Sequence, residues 1–256
     1  MYKRQTAHGF EMTPPTAQIF GNAAREHMDR YGTTERQLAA VGAKNHRHSA
    51  DNPHAQFQDV YTVEEILAAR TVHRPLTKLQ CSPTSDGSAA AVIASERFVR
   101  EHGLAGRTVE IAGQAMTTDT QDSFASGSCI DVVGRPMSRA AARQAYEASG
   151  LGIEDVDVIE LHDCFSVNEL LTYEALGMCA DGGSGKLAED GARPTAAGGW
   201  STRPAASSPR VTRSAQPAWP RPPSWCGNCA ERRAPARCPA RGSGSRTTSG
   251  WVVRRW

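Results

Sequence analysis

The chain has 256 residues, 39% of them apolar, and a formal charge of +2, enough material for one large domain or two small ones. No run of about 20 apolar residues occurs and the N-terminus has no apolar leader region, so neither a membrane-spanning helix nor a secretory signal is expected. Seven scattered cysteines do not form the pattern of a disulfide framework and point to a reducing cytoplasm. The small net charge hides a split: residues 200–256 carry eleven Arg and one acid, Glu231, which leaves 18 basic against 26 acidic side chains in the first 199 residues.

Taken in chain order, Ala17 to Tyr31 has apolar or small residues at helical spacing and ends at Gly32. Thr34 caps a second helix. Lys44 to Asn52 reads as a loop that carries His46 and His48 and stops at Pro53. Thr62 and Glu65 have the spacing of a capping box at the start of a short helix. Ser88 to Ala94 is a small and branched apolar run of the kind that forms a buried strand. Ser95 caps a helix that runs to Gly103, and Thr108 to Gly113 reads as a strand. Ser138 to Ser149 is an amphipathic helix closed by Gly150. A strand over Val156 to Leu161 precedes a helix over Ser166 to Leu176, ended by Gly177. Asp181 to Gly199 reads as Gly-rich loop. Strands and helices alternating at short spacing imply a layered α/β sheet.

The stretch richest in chemistry is Ile159-Glu160-Leu161-His162-Asp163-Cys164-Phe165-Ser166, where an apolar strand gives way to a helix. α/β folds place reactive groups at such strand ends, and a helix N-terminus favours negative charge. A thiolate at Cys164 would be stabilised there. Such a cysteine can pass a proton to and from carbon, and His162 can donate to an oxyanion. By spacing alone, a structural cysteine beside a backbone-satisfied histidine remains the commoner alternative. Cys81, Cys129 and Cys179 read as core cysteines. His46 and His48 read as surface or hydrogen-bonded groups rather than metal ligands. Cys226, Cys229 and Cys238 lack a clean fourth partner for zinc. The basic end could touch phosphates without specificity, an accident of composition, and no nucleic-acid partner is expected.

His-Asp-Cys-Phe at 162–165 resembles the block that thiolases of the sterol carrier protein X type carry where other thiolases have Asn-Glu-Ala-Phe. Other stretches agree: Phe20-Gly21-Asn22 with Glu26-His27-Met28 and Tyr31-Gly32-Thr33, Lys44-Asn45-His46 with His48-Ser49, Leu79 to Gly87, and Val158 to Gly177 nearly throughout. The resemblance implies an incomplete thiolase fold, layered α-β-α-β-α. Residues 6–87 would form the loop domain, 88–106 the end of the N-terminal half, and 107–199 part of the C-terminal half. It further implies thiolytic cleavage of 3-oxoacyl-CoA to acyl-CoA plus acetyl- or propanoyl-CoA, with coenzyme A as substrate, no separate cofactor and no metal. Cys164 would be the second acid/base and His162 part of the oxyanion hole. The full-length protein would be a homodimer. A steroid side-chain acyl-CoA aldolase and a non-catalytic lipid- or CoA-binding module are the alternatives.

Residues 200–256 hold all five tryptophans, eight of the fifteen prolines and no Leu, Ile, Phe, Tyr or Met. A stretch so poor in aliphatic side chains cannot offset its chain entropy and is expected to be disordered. Rebuilding each codon from the last base of one residue and the first two of the next permits a Gly-His-Pro run across Val211 and Thr212. It also permits a Gly-Leu-Gly-Gly run within residues 246–254. Both resemble closing thiolase motifs, which implies one base lost near Gly198–Trp200. Tyr2 to Gln5 resembles a sequencing-adapter remnant, so the natural sequence is expected to begin near Thr6. With the nucleophile half upstream and the Gly-His-Pro histidine out of frame, the chain as written is expected to be an inactive fragment.

Overall fold

The computed structural model describes residues 13–53, 55–84, 86, 88 and 90–191, together with the backbone of 211–213 and 247–255. The remaining cysteines of the C-terminal stretch, Cys226, Cys229 and Cys238, and the Tyr2 to Gln5 segment lie outside the described residues.

Helix α1, Pro15–Tyr31, opens with a proline in its first turn, where a missing N–H costs nothing. It closes at Gly32, whose φ of 73° is the left-handed conformation a glycine adopts without strain. Helix α2, Glu35–Ala50, starts from a reciprocal capping box between Thr34 and Gln37. It continues through the segment read as a loop, so His46 and His48 sit in its last turns. No helix breaker lies between Lys44 and Ala50, and local polarity alone did not end the helix. Helix α3, Val63–Ala68, begins at the expected Thr62–Glu65 capping box. Strands β1, Thr71–His73, and β2, Leu76–Thr77, form a short antiparallel pair.

Helix α4, Glu96–Glu101, is capped by Ser95 as its sequence implies. The expected strand before it does not form. Val92 is 91% and Ile93 75% exposed. A branched apolar run becomes a buried strand only when neighbouring strands cover both its edges, and none of the described residues pairs with it.

The second half alternates strand and helix: β3, Val109–Thr118; α5, Gln121–Ala125; α6, Cys129–Val132; α7, Arg135–Ser149; β4, Ile159–Leu161; α8, Ser166–Ala175; and α9, Ser184–Glu189. Strand β4 is shorter than its apolar run because Ile153–Asp155 is a 3-10 turn and Val158 is exposed. Helix α9 replaces part of the expected Gly-rich loop. Its Gly185 serves close approach rather than looseness: a Cβ there would lie 2.4 Å from Gln37 Oε1 of α2. Two further strands are β5, Val211–Arg213, parallel to β4, and β6, Thr247–Arg255, antiparallel to β3. The architecture is mixed α/β, with each described sheet two strands wide.

The main core brings α1, α2 and α8 together over β4. Phe20 stacks on Phe165 with ring centroids 4.6 Å apart, and Leu38, Val41, Val167, Leu170 and Tyr173 fill the space around them. Ala115 of β3 packs on Ala141 and Ala145 of α7 as a separate small cluster.

Glu174 of α8 is buried and tied to three places. It accepts from His27 Nε2 of α1 at 2.9 Å, from Ser184 Oγ of α9 at 2.7 Å, and from the Gly182 N–H at 2.8 Å. Burial alone would raise its pKa, but these hydrogen bonds together outweigh it and hold the carboxyl below its ordinary 4.5. A carboxyl depressed in the folded state stabilises fully above its unfolded pKa, and that stability is lost as pH falls through the folded value. We expect the chain to lose stability as pH falls below about 4.5, its unfolded-state range, and Glu174→Gln to lower stability near neutral pH by about 2 kcal/mol and flatten the acid limb. Urea midpoints measured from pH 7 to pH 3 decide this, and parallel curves for the two proteins would contradict it.

Gly21 of α1 lies against β1. A Cβ at this position would be 2.5 Å from His73 Cδ2 and 3.1 Å from the His73 carbonyl. His73 is buried and held by Asn22 Oδ1 at 3.1 Å and by Arg25 at 2.6 Å, so it has no room to retreat. Gly21→Val is expected to destabilise by about 1–3 kcal/mol or more through overpacking. A melting temperature equal to the parent's would refute that crowding.

Candidate functional site

The site read from the sequence lies on the connection from β4 to α8. His162 is exposed, and Cys164 is half-buried against the main core. They are two residues apart on one loop, and neither lines the small cavity behind it. Between them, Asp163 turns inward and is buried.

The loop is held from several sides. The Ser82 N–H donates to the Cys164 carbonyl at 2.8 Å, and Cys81 bridges Phe165 as an isolated antiparallel pair. Asn168 Nδ2 of α8 donates to the His162 carbonyl, and the Asn168 N–H donates to the Phe165 carbonyl at 2.8 Å. Thus the exit of the first segment, near Gln80-Cys81-Ser82, is docked directly on the strand-end motif.

Behind the loop lies a buried polar group that the sequence reading did not single out. Asn45 Nδ2 of α2 donates to Asp163 Oδ2 and, at 2.9 Å, to Glu169 Oε2 of α8. Lys44 Nζ and the Tyr173 hydroxyl both donate to Glu169 Oε1, and Lys44 Nζ lies 2.9 Å from the Tyr173 hydroxyl. Burial, and then the neighbouring Glu169, push the Tyr173 phenol well above its ordinary value, which keeps it a donor. Glu169 and Tyr173 are four apart on α8, one above the other on a helix face, and that spacing was the available signal. Nothing in the local sequence pairs Asn45 with Asp163, 118 residues away.

A cavity of about 10 Å³, the size of one water, adjoins this group and is lined by Asn45, His46, Gln80, Asp163 and Ser166 among others. Asn45 Oδ1 and Gln80 Nε2 are buried there without a hydrogen-bond partner among the described residues. His46 is buried rather than solvent-facing: its Nε2 lies 3.2 Å from the Leu79 carbonyl, and its ring meets Tyr61 edge-on. Among the described residues no three His, Cys, Asp or Glu side chains cluster as a metal site would require. No helix among them is long and apolar enough to cross a membrane.

Comparison with known proteins gives the class first. Residues 119–200 match a family model described as "Thiolase C-terminal domain-like". Sterol carrier protein 2 of Rattus norvegicus is 53% identical over 197 residues, which cover 77% of this chain and 36% of that protein. Benzoylsuccinyl-CoA thiolase subunit BbsB of Thauera aromatica is 36% identical over 187 residues, 73% of this chain and 46% of that subunit. The solved structure of the Ltp2-ChsH2(DUF35) aldolase is similar with a TM-score of 0.61 and 30% identity, covering 68% of this chain and 46% of that chain. The chain thus carries a thiolase C-terminal domain-like region at residues 119–200 and is similar over 197 residues to sterol carrier protein 2. It spans about a third of the length of those sterol carrier proteins, 36% of the rat protein.

Two other cysteines, Cys81 and Cys179, differ from a reactive thiol. Burial pushes Cys81 up to about 11 and, with Glu174 and Asp181 adding to it, Cys179 up to about 12. At pH 8 we expect both to react with iodoacetamide roughly tenfold or more slowly than a free thiol, the small thiolate fraction being partly offset by its greater nucleophilicity. Peptide mapping after timed alkylation measures this, and labelling of either residue at the free-thiol rate would rule it out.

Proposed function

We propose that this chain is a piece of an acyl-CoA acyltransferase that cleaves 3-oxoacyl-CoA with coenzyme A. The reading rests on one conjunction: a His-Asp-Cys-Phe block at a strand end, in a chain whose relatives include a protein named as a CoA thiolase subunit. In the proposed reaction a cysteine thiolate of the N-terminal half attacks the 3-oxo carbon. The bond between C2 and C3 breaks, and its electron pair passes to the thioester enolate. The Cys164 thiol protonates the enolate carbon while a His162 N–H donates to the enolate oxygen. The acyl group then moves from the cysteine to the sulfur of coenzyme A, with Cys164 accepting the thiol proton. A half-buried thiol next to an exposed imidazole suits those two tasks, because the imidazole can reach a ligand that arrives from solvent.

By this reading the chain as written does not turn over, since it holds neither the nucleophile nor the Gly-His-Pro histidine. Members of such a catalytic unit act together, and binding alone does not replace them. The end of the family-model match at residue 200 supports a frame change at that point. The homodimer, the reducing cytoplasm and coenzyme A as the diffusible partner belong to the same proposal.

One observation favours a second reading. The solved structure at 30% identity is named an aldolase, so carbon–carbon cleavage without an acyl-enzyme fits the same scaffold. The sterol carrier name of other relatives likewise keeps a lipid- or CoA-binding module in view.

The test begins with the contiguous DNA on both sides and its correct frame. We expect the 256-residue chain to show background acetoacetyl-CoA thiolysis only, and the frame-restored full protein to consume coenzyme A stoichiometrically. In that protein Cys164→Ala should lower kcat by about 10²–10⁴ and His162→Ala by about 10²–10³. Cleavage without coenzyme A consumption would move the assignment to the aldolase, and coenzyme A binding without turnover to the binding module. Thiolysis by the 256-residue chain, or an intact DNA frame through residue 200, would overturn the fragment reading.

A further inference from the structure

We propose that Asn45 is a positioning residue that fixes the loop carrying His162 and Cys164, a role that rests on the functional reading of those two side chains. Asn45 is only 3% exposed, and its single amide nitrogen donates to carboxylates from two different elements, Asp163 on the loop and Glu169 on α8. Asp163 is the side-chain anchor between an exposed His162 and a half-buried Cys164, so wherever Asp163 is pinned the two functional groups are pinned as well. Backbone bonds from Ser82 and Asn168 hold the loop's main chain, and the Asn45–Asp163 bond is a buried side-chain anchor beside them.

The amide's orientation argues for this purpose. Asn45 Oδ1 is buried with no hydrogen-bond partner among the described residues and faces a cavity the size of one water. The reverse orientation would set that oxygen against two carboxylates, which is worse. The donor is therefore what the position requires, and an isosteric Asp cannot replace it. Asp at 45 would bring three carboxylates together with one ammonium, Lys44, among them, and like charges in a buried site drive one group out. The titratable groups around Cys164 are His162 and Asp163 on its own loop, Cys81 on the segment paired with it, and Glu169 and Lys44 behind Asp163.

The experiment measures iodoacetamide alkylation of Cys164 in the 256-residue chain against pH, resolved by peptide mapping, with Cys179 as the internal reference. In Asn45→Asp the Cys164 rate at pH 7.5 should fall about tenfold and its pH midpoint should rise by about one unit, as added negative charge disfavours the thiolate. Cys179 should not change. The exchange Asn45→Asp with Asp163→Asn restores one amide–carboxylate pair in reverse and should return Cys164 to within about twofold of the parent, since the second hydrogen bond, to Glu169, is not rebuilt. Lys44→Arg keeps the positive charge and disturbs the bonds to Glu169 and Tyr173 but leaves the Asn45–Asp163 bond, so it should lower the melting temperature with the Cys164 profile intact. A folded Asn45→Asp protein whose Cys164 profile superimposes on the parent's would overturn the proposal, as would an exchange that restores nothing. Should Asn45→Asp not fold, Asn45→Ala removes the donor without adding charge and is judged by the displaced or unmoved Cys164 profile. Absence of thiolysis in the frame-restored parent would count against the functional reading alone, because the alkylation profile is a property of the loop.

Discussion

Helix α8 carries two buried carboxylates, and the fold depends on both being answered. Glu169 and Glu174 are five residues apart, which at about 100° per residue turns them roughly 140° from one another around the helix. They therefore face different neighbours. Glu169 is met by Lys44 and Asn45 of α2, and Glu174 by His27 of α1 together with Ser184 and the Gly182 N–H at the start of α9. A buried ion is costly to bring out of water and contributes little net stability even when well paired. Two such ions on one helix instead select a single arrangement. Sliding α8 by one residue would strand both charges, whereas an all-apolar helix could tolerate the shift. The strand-end loop precedes α8 directly, so the same two contacts fix the helix into which it runs.

Much of the helical framework was legible because its signals are local. Thr34 with Gln37, Thr62 with Glu65, and Ser95 before Glu96 each fix a start within one turn, and Gly32, Gly150 and Gly177 mark ends. The errors share a different cause. Lys44 to Ala50 looks like a loop by composition, yet its polar groups are spent on α8 and the loop beyond β4, so the polarity records burial of a network rather than exposure. Gly182, Gly183 and Gly185 look like slack, yet Gly185 is where α9 meets Gln37. In both cases the sequence carries the demand of a distant partner that no local pattern names.

The site divides in the same way. Strand, imidazole, thiol and helix follow one another within a few residues, and that order marks His162 and Cys164 as candidates. Their chemical meaning came from resemblance, since an exposed His and a half-buried Cys have many structural uses. Asp163 stood in plain view between them, but its role depends on Asn45, 118 residues earlier. Spacing arguments reach one turn or one hairpin, and a tertiary hydrogen bond between the two ends of a domain lies beyond them.

The unformed strand at Ser88 to Ala94 turns that limit around. Its branched apolar run is a sound record of burial, yet Val92 and Ile93 stand in solvent. A periodicity is written by every surface a segment touches in the whole protein, and this chain spans only about a third of the sterol carrier proteins it matches. Ile111, Met116 and Phe124 are likewise large, apolar and exposed in the described structure. Scattered exposed apolar side chains of this kind are ordinary on a protein surface. An apolar run at 88–94 is thus not by itself enough to make a strand: without a neighbouring strand among the described residues, its side chains stay in solvent.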